Sequence, residues 1–363
     1  MNHKKKLQDL RTNIDDIDNQ ILELIEKRVS FAHEVGHVKE DQGYDGPFYV
    51  PSREASIIRR LHSRSQNVLP QAALHGIFRE IIGACLALEK NLSIAYLGPE
   101  GTFTHAAAVR QFGSSVRYHP TRTIDDVFDE VEAGRVSYGV VPIENTLGGA
   151  VTHTLDCFVE RDAMICAEIQ LQIKHHLLTQ SANLSGIKKV ISHPQPLAQC
   201  RKWLQDNLAH AELISADSTA QAAEIAATDP SCAAIASLAV AEKLQLPILA
   251  ANIEDSEDNI TRFLVIGQHD AQPSGEDVTA LMLSAPDQAG TLHALLSPFA
   301  KRDIELSSIE SRPSQKKLWE YVFFMNLRGH HQDDHIKAAL SEVQSTSGSY
   351  LKILGSYPVS RLL

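Results

Sequence analysis

Residues 7–39 carry an apolar pattern that leaves few folds open. Leu7, Leu10, Ile14, Ile17, Ile21, Leu24, Arg28, Phe31, Val35 and Val38 alternate spacings of three and four. This is a helical heptad seam. Arg28 breaks it by standing where an apolar knob belongs, and Arg11 and Lys39 lie one position past Leu10 and Val38. A guanidinium on a buried seam needs an anionic partner, and this helix offers none nearby. The seam therefore reads as the wall of an anion pocket. The competing reading is a plain dimerisation helix whose Arg28 reaches out to water. Arg28 and Lys39 stand roughly 16 Å apart along the axis and nearly on one face, whereas Arg11 is roughly 25 Å from Arg28. Arg11 can join them only from a second copy of the helix. The expected assembly is an intertwined homodimer with sites built from both chains.

A chain of 363 residues has room for two or three domains. Its net charge is −11 and no basic patch is interleaved with aromatics, which argues against nucleic acid as a partner. Cysteines 85, 157, 166, 200 and 232 show neither metal spacing nor a disulfide framework, and read as reduced core residues of a cytoplasmic protein. The basic start MNHKKK lacks the apolar stretch of a secretory signal, and no run is expected to span a membrane. His175-His176 and His330-His331 are adjacent pairs expected to point apart, so neither a metal site nor a cofactor is expected.

Beyond a Gly-rich break at 41–47, Pro51 suits the first turn of a second helix, with Ile57, Ile58 and Leu61 on its apolar face. Pro70 opens a third, with Leu74, Ile77, Phe78, Ile81, Ile82, Cys85 and Leu86 on one side. Glu89 lies one turn past Cys85 at the edge of that stripe, where desolvation favours the neutral acid. The segments LRTNIDDID, EKRVSFAHEVGHVK, PSREASIIRRL and IFREIIGACLALE resemble the all-helical chorismate mutases, in particular the amino-terminal domain of the bifunctional chorismate mutase–prephenate dehydratases. The resemblance implies that Arg28 and the partner chain's copy of Arg11 clamp the two carboxylates of chorismate. It makes Lys39 and Glu89 donors to the ether oxygen, Glu54 the partner of the ring hydroxyl and Arg53 a supporting cation. Cys85 joins the substrate contacts at a position where some relatives have Ser; Glu89 stands where many have Gln, and Val50 where some have an acidic residue. The rearrangement of chorismate is pericyclic. It needs a held conformer and donors where charge develops, with no nucleophile.

From 92 to about 270, strand and helix patterns alternate. Residues 93–97 read as a strand running into Gly98-Pro99-Glu100-Gly101-Thr102-Phe103-Thr104 and a helix from His105. Such a turn offers backbone N–H groups to a carboxylate or phosphate. It lacks the third glycine of a dinucleotide fingerprint and the GK[ST] of a Walker loop. Residues 125–133 read as a helix. Residues 137–142 read as a strand leading into Pro142-Ile143-Glu144-Asn145-Thr146, where open α/β sheets place ligands. Residues 189–192, 232–236 and 264–266 read as further strands, with Ser192 a candidate N-cap. GPEGTF, VVPIENT, SHPQPLAQC, AAIAS and NITRFLVIG stand in the order found in prephenate dehydratases, and the segment resembles that family throughout. The resemblance implies two α/β lobes like those of a periplasmic binding protein, with the site in the cleft. It makes Thr261 the main catalytic group, a donor to the departing hydroxyl of prephenate. Glu144, Asn145, Ser192 and Gln199 then position substrate or stabilise charge, and Arg262 supports substrate or cleft. Thr102, Ser218 and Thr219 contact carboxylates at helix starts.

Residues 270–276 read as a linker. Beyond it the order βαββαβ suggests a ferredoxin-like sandwich. Ala289-Gly290-Thr291-Leu292 and Glu310-Ser311-Arg312-Pro313 resemble the effector segments of ACT regulatory domains, which bind phenylalanine at a domain–domain interface. Thr291 replaces the commoner Ala. The expected architecture is an all-α three-helix domain (1–91), a two-lobed α/β domain (92–270) and an α+β ACT domain (276–363). The expected function is conversion of chorismate to prephenate and of prephenate to phenylpyruvate, with phenylalanine as effector. Two alternatives stand beside it: a monofunctional prephenate dehydratase that keeps the helical domain for dimerisation, and a non-catalytic amino-acid sensor.

Overall fold

The computed structural model describes residues 2–41, 43, 46–65, 68–89, 91–286, 288–313, 320–345 and 350–360. The seam forms one long helix, α1 (Asn2–Asp41), whose first six turns make little contact with the rest of the chain. Further along, Ile25, Val29, Ala32, Gly36 and Lys39 lose exposure at the spacing of one helix face. That face packs on α3 (Gln71–Glu89). A Cβ at Gly36 would stand 2.9 Å from Glu89 Cγ, so glycine lets the helices close. The seam lies beside this face: its nine apolar side chains remain 48% to 66% exposed. α2 (Pro51–Arg64) starts on Pro51 as expected and packs against α3. Among the described residues α3 is the one helix long and apolar enough to cross a membrane by length and composition. Here Ile82, Cys85 and Leu86 put it in a core.

The α/β region has two lobes. The first holds β1 (Ser93–Leu97), α4 (Phe103–Phe112), β2 (Arg117–Thr121), α5 (Ile124–Glu132), β3 (Tyr138–Asn145), β4 (Gly149–Ala150), α6 (Thr152–Glu160) and β5 (Met164–Gln172). The chain then crosses into the second lobe. This contains β6 (His176–Leu178), β7 (Lys189–Ser192), α7 (Pro194–Gln199), α8 (Arg201–Asn207), β8 (Glu212–Ser215), α9 (Thr219–Thr228), β9 (Cys232–Ala236), α10 (Leu238–Leu244) and β10 (Ile248–Ala250). It returns as β11 (Ile260–Gly267), which enters the first sheet antiparallel between β3 and β5. The sheet orders are β2-β1-β3-β11-β5, with β4 on β3, and β10-β6-β9-β7-β8. Two crossings between two α/β lobes make a binding-protein architecture. The N-cap of α7 is His193, whose ring accepts from Gln195 N–H, and not Ser192. The helical stretch that follows breaks at Cys200 into α7 and α8.

The third unit runs β12 (Asp277–Pro286), α11 (Thr291–Ala300), β13 (Leu306–Pro313), β14 (Glu320–Arg328), α12 (Asp334–Gln344) and β15 (Tyr350–Pro358). Its antiparallel sheet has the order β13-β14-β12-β15, the expected sandwich. One face packs on its own helices through Leu281, Leu283, Leu295, Phe299, Leu327 and Ile336. A sheet apolar on both faces needs a second cover. Val278, Met282, Phe324, Leu354 and Tyr357 find it in the first lobe, against Phe128, Leu155, Phe158 and Leu264. Residues 270–276 thus join two bodies that share a core. The other face of the first-lobe sheet shares a core with the helical domain, through Tyr49, Ile82, Leu86, Phe112 and Phe263.

At Gly83, α3 meets α4 so closely that an added Cβ would collide with the Phe112 carbonyl oxygen. Gly83→Ala is expected to cost about 1–3 kcal/mol, read as a lower urea midpoint. A midpoint equal to the parent's would show that the helical domain is not held tightly there.

Candidate active sites

The α1–α3 contact gathers four of the expected mutase residues. Lys39 Nζ donates to Glu89 Oε1 at 2.8 Å and lies 4.8 Å from the Phe48 ring centroid. Arg28 Nη1 donates to Cys85 Sγ at 2.7 Å. In this contact Lys39 supplies the hydrogen and Glu89 accepts. Arg11 is exposed on the free part of α1, and Arg53 is exposed in the first turn of α2. Glu54 is not joined to the Lys39–Glu89 pair. It is buried, and its Oε2 accepts from Arg79 Nη1. Burial lifts the Glu54 carboxyl against the pull of Arg79, while Arg28 acts on it through its charge. Glu54 and Arg79 line a cavity with His62 and Arg110 in which Lys39 and Glu89 take no part. Sequence reasoning missed Arg79. The signal was present: a guanidinium on the apolar stripe of α3, the same anomaly as Arg28 on α1.

In the α/β region Thr261, near the start of β11, stands opposite Asn145 at the end of β3. Asn145 Nδ2 donates to Thr261 Oγ1 at 2.8 Å and to Asn259 Oδ1 at 2.9 Å. Asn145 Oδ1 accepts from the N–H groups of Leu147 at 3.1 Å and Gly148 at 3.0 Å. Thr261 Oγ1 is the acceptor in its bond, so its own hydrogen is left to donate. Leu147 and Gly148 face Gln195 and Gln199 of the second lobe across a cavity of about 430 Å³. Gln199 Oε1 is 2.8 Å from His175 Nε2. His175 is fully buried with the Phe103 ring 5.5 Å away, and burial pushes its imidazole pKa down. Its Nε2–H therefore donates to Gln199 Oε1, which leaves the Gln199 amide hydrogens for the cleft. The sequence reading treated His175 only as half of an adjacent pair and missed this role.

The other expected substrate contacts already have partners within the chain or stand at helix starts. Ser192 is fully buried and its hydroxyl donates to the Ile235 carbonyl at 2.7 Å, tying β7 to β9. Glu144 follows the strand alternation away from Asn145. It meets Arg262 Nη1 at 2.6 Å, and Arg262 Nη2 meets Glu168 at 2.6 Å. Burial alone would lower the Arg262 pKa, but these carboxylates raise it. Glu144 and Arg262 line a cavity of about 250 Å³ between the first lobe and the third sheet, with Glu310 and Tyr357 on the opposite wall. Thr102 caps α4, accepting from His105 N–H at 3.3 Å and donating to the Leu97 carbonyl at 3.2 Å. Ser218 caps α9, accepting from Gln221 N–H at 3.1 Å, and Thr219 opens that helix. Ser218 lines a cavity between the lobes beside the Lys243–Glu100 pair, 2.6 Å apart.

Of the effector segments, Ala289, Gly290 and Leu292 are exposed and Thr291 half-buried at the start of α11, where Gly290 is left-handed at φ 88°. Glu310, Ser311 and Pro313 are exposed on β13, but Arg312 Nη2 donates to Asp156 of α6 at 3.2 Å. His330 and His331 do not diverge as expected. Their ring centroids are 4.6 Å apart, with Asp270 close enough to form a ligand-like group. Their nitrogens are engaged by Ala271, Gln332, Ser356 and Asp270. A second such group is Asp125, His153 and Cys157.

Paired charges between two helices, a hydroxyl–amide pair in an α/β cleft and a ferredoxin-like sheet fused to that cleft define a multifunctional enzyme with a regulatory domain. Family models match in the same order: chorismate mutase type II over residues 10–90, prephenate dehydratase over 94–271 and the ACT domain over 279–344. The chain is 46% identical to the bifunctional chorismate mutase/prephenate dehydratase of Aquifex aeolicus and 44% identical to that of Stutzerimonas stutzeri, each over 99% of both chains. It resembles the crystal structure of the Arthrobacter aurescens prephenate dehydratase in complex with L-Phe, with TM-score 0.68 and 33% identity over 74% of this chain and 90% of that one. The chain belongs to the bifunctional chorismate mutase/prephenate dehydratase family.

Removing the Arg262 guanidinium would leave Glu168, whose side chain is 7% exposed, without its cation. Arg262→Ala is expected to cost about 3–5 kcal/mol in urea unfolding, and the paired Glu168→Gln/Arg262→Met change much less. Equal losses in the two variants would rule out a buried charge as the cause.

Proposed function

We propose that the two reactions of the family use two separate sites in this chain, and that a second copy completes the first. Nine apolar side chains along α1, each about half exposed or more, are the observation that carries the dimer. Paired along this seam, a second α1 brings its Arg11 toward the Arg28 end of the groove. Arg28 and the partner's Arg11 then hold the carboxylates of chorismate, with Cys85 beside Arg28. Lys39 donates to the ether oxygen as its bond to carbon lengthens and negative charge grows there. Glu89 orients Lys39, and Arg53 adds positive charge at the mouth. The substitution Ile14→Asp/Ile17→Asp is expected to give single chains in sedimentation. It should also lower chorismate turnover by about 10²-fold or more, since a positioning group is lost, while prephenate turnover changes little. Equal loss of both activities would refute a site shared between chains.

Prephenate dehydration rests on the Asn145–Thr261 pair. The ring carboxylate leaves as carbon dioxide, its electrons pass into the ring, and the 4-hydroxyl departs. Thr261 donates its hydrogen bond to that departing oxygen, which leaves as water once a proton has been added. The product is phenylpyruvate, and aromatisation drives the step. Asn145 fixes the Thr261 rotamer, Gln199 held by His175 orients substrate, and Thr102, Ser218 and Thr219 lie at helix starts suited to the carboxylates. A donor at the leaving group contributes typically about 10²–10⁴-fold. Thr261→Val should therefore lose prephenate turnover on that scale and keep chorismate turnover. A variant that turns over prephenate normally would remove Thr261 from the mechanism.

Phenylalanine is the effector, taken by residues 289–292 and 310–313 between ACT domains; the relative solved with L-Phe supports this. Five free, buried cysteines support residence in a reducing cytoplasm.

A further inference from the structure

Helices α5 and α6 pack side by side on the first-lobe sheet, and three side chains of metal-binding type meet where they touch. His153 and Cys157 stand one turn apart on α6 and so share a face. Asp125, in the first turn of α5, reaches both. Its Oδ2 is 2.5 Å from His153 Nε2, and its Oδ1 is 3.7 Å from Cys157 Sγ. The three ligand atoms all lie within 4.8 Å of one another. A tetrahedral ion with bonds of about 2.0–2.1 Å to nitrogen or oxygen and about 2.3 Å to sulfur holds its ligands roughly 3.3–3.6 Å apart. A small opening of the Asp125–His153 pair therefore makes room for one. Among the described residues, His153 Nε2 and Cys157 Sγ hydrogen-bond to Asp125 and to no other group. This sets the trio apart from Asp270, His330 and His331, where three imidazole nitrogens are spent on Ala271, Gln332 and Ser356. The surrounding charge also suits a cation. Arg161, 3.7 Å from Asp125, is shared with Asp129 and Glu132, so three carboxylates face one guanidinium.

We propose that Asp125, His153 and Cys157 form a binding site for a zinc ion, with a solvent water in the fourth position. A thiolate, an imidazole and a carboxylate in tetrahedral array select zinc over magnesium and calcium, which take oxygen ligands. Burial and the Asp125 charge push the Cys157 thiol up to about 12, so it binds only as the ion displaces its proton to bulk solvent. Cys157 is buried and His153 exposed, which places the ion at the surface end of the α5–α6 contact, within reach of a chelator. None of the three residues belongs to the groove between α1 and α3 or to the cleft between the lobes. The ion acts on the scaffold: it ties α5 to α6 beside Asp156, which accepts from Arg312 of β13. Sequence spacing hides such a site, since Asp125 and His153 are 28 residues apart.

The test is a titration of the full-length protein, kept reduced with a phosphine, first with cobalt(II) and then with zinc. Cobalt is expected to bring up the visible bands of a tetrahedral ion and a sulfur-to-cobalt charge-transfer band in the near ultraviolet; zinc should bleach both. Cys157→Ser should lose the charge-transfer band. His153→Ala, whose side chain lies outside the core, should weaken cobalt binding about tenfold or more. Both variants should keep prephenate turnover, which reports the fold. Should Cys157→Ser lose that turnover, His153→Ala decides the matter alone. An adventitious ion on the His33–His37 pair of α1, whose rings are 4.4 Å apart, would give no sulfur band. A parent protein without the charge-transfer band, a band that survives in a folded Cys157→Ser, or His153→Ala binding as tightly as the parent would overturn the proposal.

Discussion

The antiparallel entry of β11 between β3 and β5 is the constraint on which most of this molecule rests. The strand arrives from the second lobe, so the same backbone that closes the first-lobe sheet also fixes one edge of the cleft. Its register against β3 sets Thr261 opposite Asn145. A one-residue slip would turn that hydroxyl to the opposite face of the sheet. The core residues that follow, Phe263 to Ile266, are all buried and hold the register through packing on both faces.

Those two faces explain why three domains behave as one body. Leu264 and Ile266 belong to the core shared with the ACT sheet, and Phe263 and Val265 to the core shared with the helical domain. The family's regulatory unit is therefore fused to the catalytic sheet as a third layer, although a run of Pro, Ser and Gly marks the boundary in the chain. The second lobe is the part left outside these shared cores, with its own clusters on the two faces of its sheet.

Much of this was legible in the residues. The heptad seam gave α1. Strands β7 and β9 fall on the expected residues, because short apolar runs bounded by turn signals have one sensible reading. Strands that went unseen, among them β2, β4, β6, β8 and β10, are short and mostly at sheet edges; β2 reads Arg-Tyr-His-Pro-Thr. Such segments take their structure from a neighbour and not from their own pattern. Site residues were harder. Motif order singled out Thr261 and Asn145, which the fold joins by a hydrogen bond, but only geometry shows that Ser192 is spent on a backbone carbonyl and that Glu144 faces the ACT domain. His175 and Arg79 needed the tertiary fold, since their partners lie 24 and 25 residues away.

Thr261 and Arg262 are neighbours in one strand and turn to opposite sides of it. One hydroxyl bonds to Asn145 at the end of β3; the next side chain grips two carboxylates on the wall of a cavity shared with Glu310 of β13. A single thickness of backbone separates the two. One peptide unit lies between the two side chains, so no other residue need stand between that cavity and the Asn145–Thr261 pair.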